Sequence, residues 1–250
     1  MKKIAEALRI PHGGTVIEIG PGHGELTRTL LEACRAAQCR IIVIEKDERL
    51  AQELSIWAEQ EEGAVIVREG DALKLLPEIA AGASGAPYVI AGNIPYYITG
   101  KLLRTVGDLS PKPARTIFMV QREVAERASA QAPRMNRLAA NVQRWAEAAV
   151  IGSVPKTDFS PPPEVDSALL LLSTIPGEEN RNDPAYERAA RAIFAQPRKT
   201  IANNILHASS LPRAEIEKRL KAEGIDPESR PQNLTIADVR NISRGEFGIE

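Results

Sequence analysis

Along the first two-thirds of the chain, apolar residues fall in short, nearly unbroken runs. Thr15-Val16-Ile17-Glu18-Ile19-Gly20, Arg40-Ile41-Ile42-Val43-Ile44-Glu45 and Ala64-Val65-Ile66-Val67 come first, followed by Pro87-Tyr88-Val89-Ile90-Ala91 and Thr116-Ile117-Phe118-Met119-Val120. Between them Leu26, Leu30, Ala33 and Ala37, and then Leu50, Leu54 and Trp57, recur at helical spacing. Ile/Val-rich runs without strict polar alternation predict strands covered on both faces. Their alternation with helices predicts an α/β fold with a parallel sheet and right-handed crossovers. Two further runs, Ala149–Val154 and Ala168–Leu172, flank the proline-rich segment 155–163 and predict an antiparallel pair at one edge. The pattern changes near Pro176-Gly177. Beyond it only helical periodicity remains, at about 184–195, 198–208, 213–223 and 235–243, broken by Pro197, Pro212, Pro227 and Pro231. The expected organisation is therefore an α/β domain over 1–177 and a small all-helical C-terminal domain over 178–250.

Composition narrows the class. The chain has 250 residues, 43% of them hydrophobic, with a formal charge of −1, which excludes disorder and supplies a sizeable core. No apolar run reaches the length of a membrane span and no signal-peptide pattern opens the chain, so no membrane partner and a cytoplasmic location are expected. Cys34 and Cys39 have neither CxxC nor metal-ligand spacing and are expected as buried, reduced thiols, with no metal site. The even overall charge conceals one basic block: residues 101–145 hold nine basic and three acidic side chains. Such a block suits a localised polyanion contact, and a solvated helix face equally well.

Four elements carry candidate chemistry. Glu18-Ile19-Gly20-Pro21-Gly22-His23-Gly24 ends the first strand and opens a helix, and its glycines allow close backbone approach to a ligand. A GxGxxG dinucleotide fingerprint fails, because its last glycine is replaced by Glu25. Glu45 ends the second strand, where a carboxylate accepts hydrogen bonds from ribose hydroxyls; Asp47 is the better helix-cap candidate. Asp71, after the third strand, is placed for the exocyclic amine of an adenine. All three fall at carboxyl ends of successive strands, where α/β sheets bind ligands. The fourth element, Asn93-Ile94-Pro95-Tyr96, suits methyl transfer to a planar amine. Asn93 Oδ1 and a main-chain carbonyl of the turn accept both N–H bonds and aim the lone pair at a sulfonium methyl. Pro95 stiffens the turn, and Tyr96 offers a stacking face for an extruded base.

With these elements, Met119–Arg127 and Phe159-Ser160-Pro161-Pro162-Pro163-Glu164-Val165-Asp166-Ser167, the chain resembles the rRNA adenine N6,N6-dimethyltransferases of the KsgA type. Arg198–Leu206 and Arg230–Thr235 are similar to that family's helical domain, so the resemblance covers nearly the whole chain. It implies a class I S-adenosylmethionine-dependent (Rossmann-like) methyltransferase; a monomer without metal is the separate expectation. The implied task is dimethylation of two adjacent adenosines near the 3′ end of 16S rRNA, coupled to maturation of the small ribosomal subunit. By position, Gly20, Gly22, Glu45, Asp71 and Asn93 are implied to bind the cofactor, Asn93 and Pro95 to hold the amine, and Tyr96 and Phe159 to sandwich the adenine. Arg122, Arg127, Arg134 and Arg137, with Arg198 and Lys199 from the helical domain, are the expected RNA phosphate contacts.

The sequence departs from the family pattern in two places. Ile94 stands where leucine is usual, a near-isosteric change. The chain begins at Met1-Lys2-Lys3-Ile4, inside the family's first helix, so the upstream Q-x-F-L motif is absent; a misassigned start, a truncation and a more open lid remain alternatives. Two rival functions stand beside the main one: an erythromycin-resistance-type enzyme acting on 23S rRNA, and a non-catalytic ribosome-assembly factor.

Overall fold

The structure is a computed structural model that describes residues 1–83, 85–159, 162–178 and 183–249. It divides into two compact units, Met1–Ala125 with Trp145–Arg181, and Glu126–Arg144 with Asn182–Glu250.

The first unit is built on a seven-stranded sheet: β1 (Thr15–Ile19), β2 (Arg40–Glu45), β3 (Val65–Glu69), β4 (Tyr88–Asn93), β5 (Arg115–Gln121), β6 (Ala146–Val154) and β7 (Ser167–Thr174). Their order is β3-β2-β1-β4-β5-β7-β6. The first five pair in parallel, and β7 is antiparallel to both β5 and β6, which gives the expected edge pair. Every residue of β1 is buried, as a strand covered on both faces requires. Helices α1 (Lys2–Leu8), α2 (Glu25–Ala37), α3 (Glu48–Ala58), α4 (Ala72–Gly82) and α5 (Thr99–Asp108) complete the layers. One core cluster joins Ile4 and Leu8 of α1, Leu26 and Leu30 of α2, and Val16, Ile41 and Val89 of the sheet.

Strand order reverses between β1 and β4, and that switch point is where an open α/β sheet leaves a crevice at its carboxyl edge. The two strands approach closely because Gly92 has no side chain: a Cβ there lies 2.5 Å from the Ile19 carbonyl oxygen.

The second unit contains α7 (Arg137–Gln143), α8 (Pro184–Ile193), α9 (Ile201–Leu206), α10 (Arg213–Ala222) and α11 (Ile236–Arg244); α6 (Arg122–Ala128) leads into it. Its core gathers Met135, Ala139 and Ala140 with Tyr186, Ala189, Ile193, Ile205 and Val239. Local signals set the helix starts: Asp183 accepts from the Tyr186 amide before α8, and Thr235 and Asp238 form a capping box at α11.

Three sequence expectations change. The segment Glu126–Arg144 belongs to the helical unit, whereas the division at 177/178 had put it in the α/β domain. The Tyr186 hydroxyl donates to the Ala140 carbonyl at 2.9 Å, and Arg144 pairs with Glu187 at 3.2 Å. The helix expected from 198 starts at Ile201, because Thr200 caps it through the Asn203 amide and leaves Arg198 and Lys199 in the preceding turn. Cys34 and Cys39, expected as reduced thiols, form a disulfide. The cause is local: α2 ends in a left-handed Gln38, which folds the chain back and brings the two Cα atoms to 4.9 Å.

Candidate active site at the carboxyl edge of the sheet

The loop after β1 carries three left-handed glycines, Gly20, Gly22 and Gly24, with φ of 66°, 57° and 80°. Gly20 sits against the other side of the crevice, where an added Cβ would lie 3.3 Å from the Asn93 carbonyl oxygen. At Gly22 an added Cβ meets nothing within 4 Å, so the loop backbone is open to a ligand. A cavity of about 440 Å³ opens here, a size suited to a nucleoside-sized molecule. Gly20, Gly22, Glu18, Asn93, Met119 and Phe159 are among its walls, with Met1, the N-cap of α1, and Ile4 of that helix lining it as well.

The polar groups named from the sequence take distinct places around this cavity. Glu45, 7% exposed, accepts from the Gly22 amide at 3.1 Å through Oε2, and from the Lys46 and Asp47 amides at 2.7 and 2.9 Å through Oε1. It borders the glycine loop by fixing it, although it does not line the cavity. Asp71 caps α4 through the Leu73 amide at 2.9 Å and is likewise not among the walls. Asp47 caps α3, as expected.

Glu18 is a group to which the sequence reading gave no role. It lies in β1 between two isoleucines, 1% exposed, and its Oε2 is buried without a hydrogen-bond partner. Its carboxyl is pushed up to about 7, chiefly by burial, with the Thr27 hydroxyl lowering it and the Glu45 charge raising it within that balance. The available signal was the interruption itself, since a lone charge inside a doubly covered apolar strand needs a reason.

Opposite the glycine loop, Asn93 ends β4 with its side chain exposed and free of hydrogen bonds among the described residues. The Ile94 amide donates to the Met119 carbonyl at 3.0 Å, which pins the turn to β5. The Pro95 carbonyl is engaged, accepting from the Ile98 amide and the Thr99 hydroxyl at 3.1 and 3.4 Å. Among the described residues the Ile94 carbonyl accepts no hydrogen bond.

Tyr96 and Phe159 are both anchored from the start of β7. The Tyr96 hydroxyl and Ser167 Oγ lie 3.0 Å apart. Asp166 accepts from the Lys156 amide at 3.1 Å, holding the 3-10 turn Lys156–Asp158 that precedes Phe159. Phe159 lines the cavity and Tyr96 does not. Of the adjoining motif, Ser160 and Pro161 lie outside the described residues.

Of the expected phosphate contacts, Arg122 lies in the first unit and Arg127, Arg134, Arg137, Arg198 and Lys199 in the second. All six are exposed. Arg122 faces Asp166 at 3.5 Å. Other members of the basic block are structural: Lys112 is buried and donates to the Leu109 carbonyl, and Arg115 donates to the Ala7 carbonyl. Among the described residues no cluster of His, Cys, Asp and Glu suits a metal ion, and no helix is long and apolar enough to cross a membrane.

A sheet of this order, with a glycine turn at its switch point and an amide-bearing turn facing it, defines a class I S-adenosylmethionine-dependent methyltransferase. Comparison with known proteins takes this further. The family model described as ribosomal RNA adenine dimethylase matches residues 1–245. The chain is 36% identical to ribosomal RNA small subunit methyltransferase A of Moorella thermoacetica, over 98% of this chain and 86% of that one. Its fold is similar to that of a dimethyladenosine transferase from Plasmodium falciparum, with a TM-score of 0.79, 26% identity and coverage of 99% and 95% of the two chains. It also resembles the 23S rRNA methyltransferase ErmE in fold, with a TM-score of 0.74, 24% identity and coverage of 97% and 94%. The protein belongs to the ribosomal RNA adenine dimethylase family.

Proposed function

We propose that this protein dimethylates the N6 amines of two adjacent adenosines near the 3′ end of 16S rRNA, acting on the small ribosomal subunit. The observation that carries the reading is the free amide of Asn93 facing the glycine loop across one cavity, with the Ile94 carbonyl open beside it.

S-adenosylmethionine, when bound, supplies an activated methyl on a sulfonium, a good leaving group. Gly20 and Gly22 would let the loop backbone approach it, and Glu45, its Oε1 held by the Lys46 and Asp47 amides, keeps that loop in place through Oε2 on the Gly22 amide. Glu18 would balance its positive charge from the cavity wall. Asp71 holds the start of α4 beside the site, and in this reading its remaining carboxylate oxygen takes the adenine amine of the cofactor.

The target amine is a weak nucleophile because its lone pair is delocalised into the purine ring. Asn93 Oδ1 and the Ile94 carbonyl accept its two N–H bonds, which leaves the lone pair directed across the cavity. Pro95 stiffens the turn and spends its own carbonyl on Ile98 and Thr99. Phe159 supplies one face against the flipped base and Tyr96 the other, each fixed from β7. No strong general base is needed, since orientation and electrostatics supply most of the rate. Exposed Arg127, Arg134, Arg137, Arg198 and Lys199 of the helical unit would provide phosphate contacts, with Arg122 a further one from the first unit.

A second reading, methylation of 23S rRNA, draws support only from the likeness in fold to ErmE, whereas the relatives at higher identity are small-subunit enzymes by name. Incubating purified small and large subunits separately with methyl-labelled S-adenosylmethionine tests the choice. Label in the small subunit is expected; label confined to the large subunit defeats the reading.

A further inference from the structure

We infer that the exposed face of Tyr97 and α5 is a track for the RNA strand flanking the target adenosine, with Tyr97 stacking on a neighbouring base and Lys101 and Arg104 holding phosphates. Tyr97 directly follows the Asn93–Tyr96 turn, yet its side chain is 77% exposed, the largest exposure among the large hydrophobics of the described residues. Its neighbour Tyr96 is tied to Ser167, so the two adjacent tyrosines have different tasks: one is anchored and one stands in solvent. An unpacked aromatic costs apolar hydration and gains nothing for the fold. At the rim of a base-handling site it offers a π face, which any base can stack on.

The 3-10 turn Tyr96–Ile98 runs into α5 without a break. Thr99, Leu102, Leu103, Val106 and Gly107 face the core. At spacings of four and three residues beyond Tyr97, Lys101 and Arg104 fall on one outward stripe, both exposed and without an ion pair or hydrogen bond among the described residues. From Tyr97 to Arg104 the stripe is about 10 Å long, over which a stacked strand presents about three phosphates. Asp108 ends it with a negative charge. Charge complementarity and continuity with the Asn93 turn commit the stripe to single-stranded RNA leaving that turn, and not to a protein. The inference rests on the RNA-methyltransferase reading above.

The test uses the full chain and a synthetic RNA hairpin with two adjacent adenosines in its loop and 2-aminopurine beside them. Wild-type binding is expected to quench the 2-aminopurine. Y97A is expected to lose that quenching and about tenfold in RNA affinity, with Y97F restoring both. The double variant K101A/R104A is expected to lower the slope of log affinity against log salt by about 1.4. Affinity for S-adenosylmethionine, measured by calorimetry on the same samples, is expected to stay within about twofold in every variant, which shows that each remains folded. Unchanged quenching in Y97A, or an unchanged salt slope in K101A/R104A, overturns the track while a methylating wild type leaves the enzyme reading standing. A wild-type protein that binds cofactor but neither binds nor methylates small-subunit RNA overturns both.

Discussion

Replacing Glu18 by glutamine probes the buried carboxyl at the cavity wall. Its pKa is raised from the ordinary 4.5 to about 7, chiefly by burial. Between those two values the folded protein holds a proton that the unfolded chain has released, so stability falls as pH rises from about 4.5 and levels off above about 7. The loss amounts to about 3 kcal/mol, at about 1.4 kcal/mol for each pH step of one between the two values, and the group is too buried for solvent to screen it. Glu18→Gln keeps the shape and removes the titration, and the new amide keeps the neighbouring Thr27 hydroxyl as its polar neighbour. At about pH 8 the variant is therefore expected to melt about 6–12 °C above wild type in the cofactor-free state, and at about pH 4.5 to match it. Binding shows the opposite preference. A positively charged cofactor favours the ionised carboxylate, so wild-type affinity is expected to rise toward pH 7, by at most about tenfold per pH step of one, and the variant's to stay flat and weaker. Thermal unfolding and calorimetric titration across pH give both curves. Parallel melting curves for the two proteins would refute the reasoning, because Glu18 would then ionise alike in the folded and unfolded states.

Three further outcomes follow from the same geometry. Asn93→Ala is expected to lower turnover by about 10²-fold or more while RNA affinity changes little; equal losses in single-turnover rate and in binding would make Asn93 a folding residue. Gly92→Ala sets a Cβ 2.5 Å from the Ile19 carbonyl and 2.9 Å from Ile94 Cδ1, where backbone cannot yield cheaply. It is expected to cost about 3 kcal/mol and to weaken cofactor binding, and a melting temperature equal to wild type would contradict the close approach of β1 and β4. Arg134→Ala and Arg137→Ala are each expected to lower the salt slope of RNA binding by about 1, with an unchanged slope removing that residue from the interface.

The central strands were legible because the middle of the sheet is covered on both faces, which favours unbroken apolar runs such as Val16-Ile17. The Asn93 and glycine turns were legible because polar and flexible residues stand out at strand ends. Less visible was which duty a carboxylate performs. Glu45 and Asp71 sit at the expected strand ends, yet both are first of all acceptors for backbone amides, a use that sequence spacing does not separate from ligand binding. Glu18 was hidden by its own motif, read for its glycines and not for the charge before them. The Glu126–Arg144 segment lies between β5 and β6 within the run of strands, so its membership of the helical core emerges only once Met135 and Ala139 meet Tyr186 and Ile193. The Cys34–Cys39 pairing depends on one left-handed residue, Gln38, that no periodicity signals.

The most direct measurement is nucleoside mass spectrometry of RNA from small subunits lacking the modification, before and after reaction with this protein and S-adenosylmethionine. The expected result is N6,N6-dimethyladenosine appearing in 16S rRNA with wild type and absent with Asn93→Ala. Unmodified 16S rRNA, from a wild-type protein shown to bind the cofactor, would contradict the account.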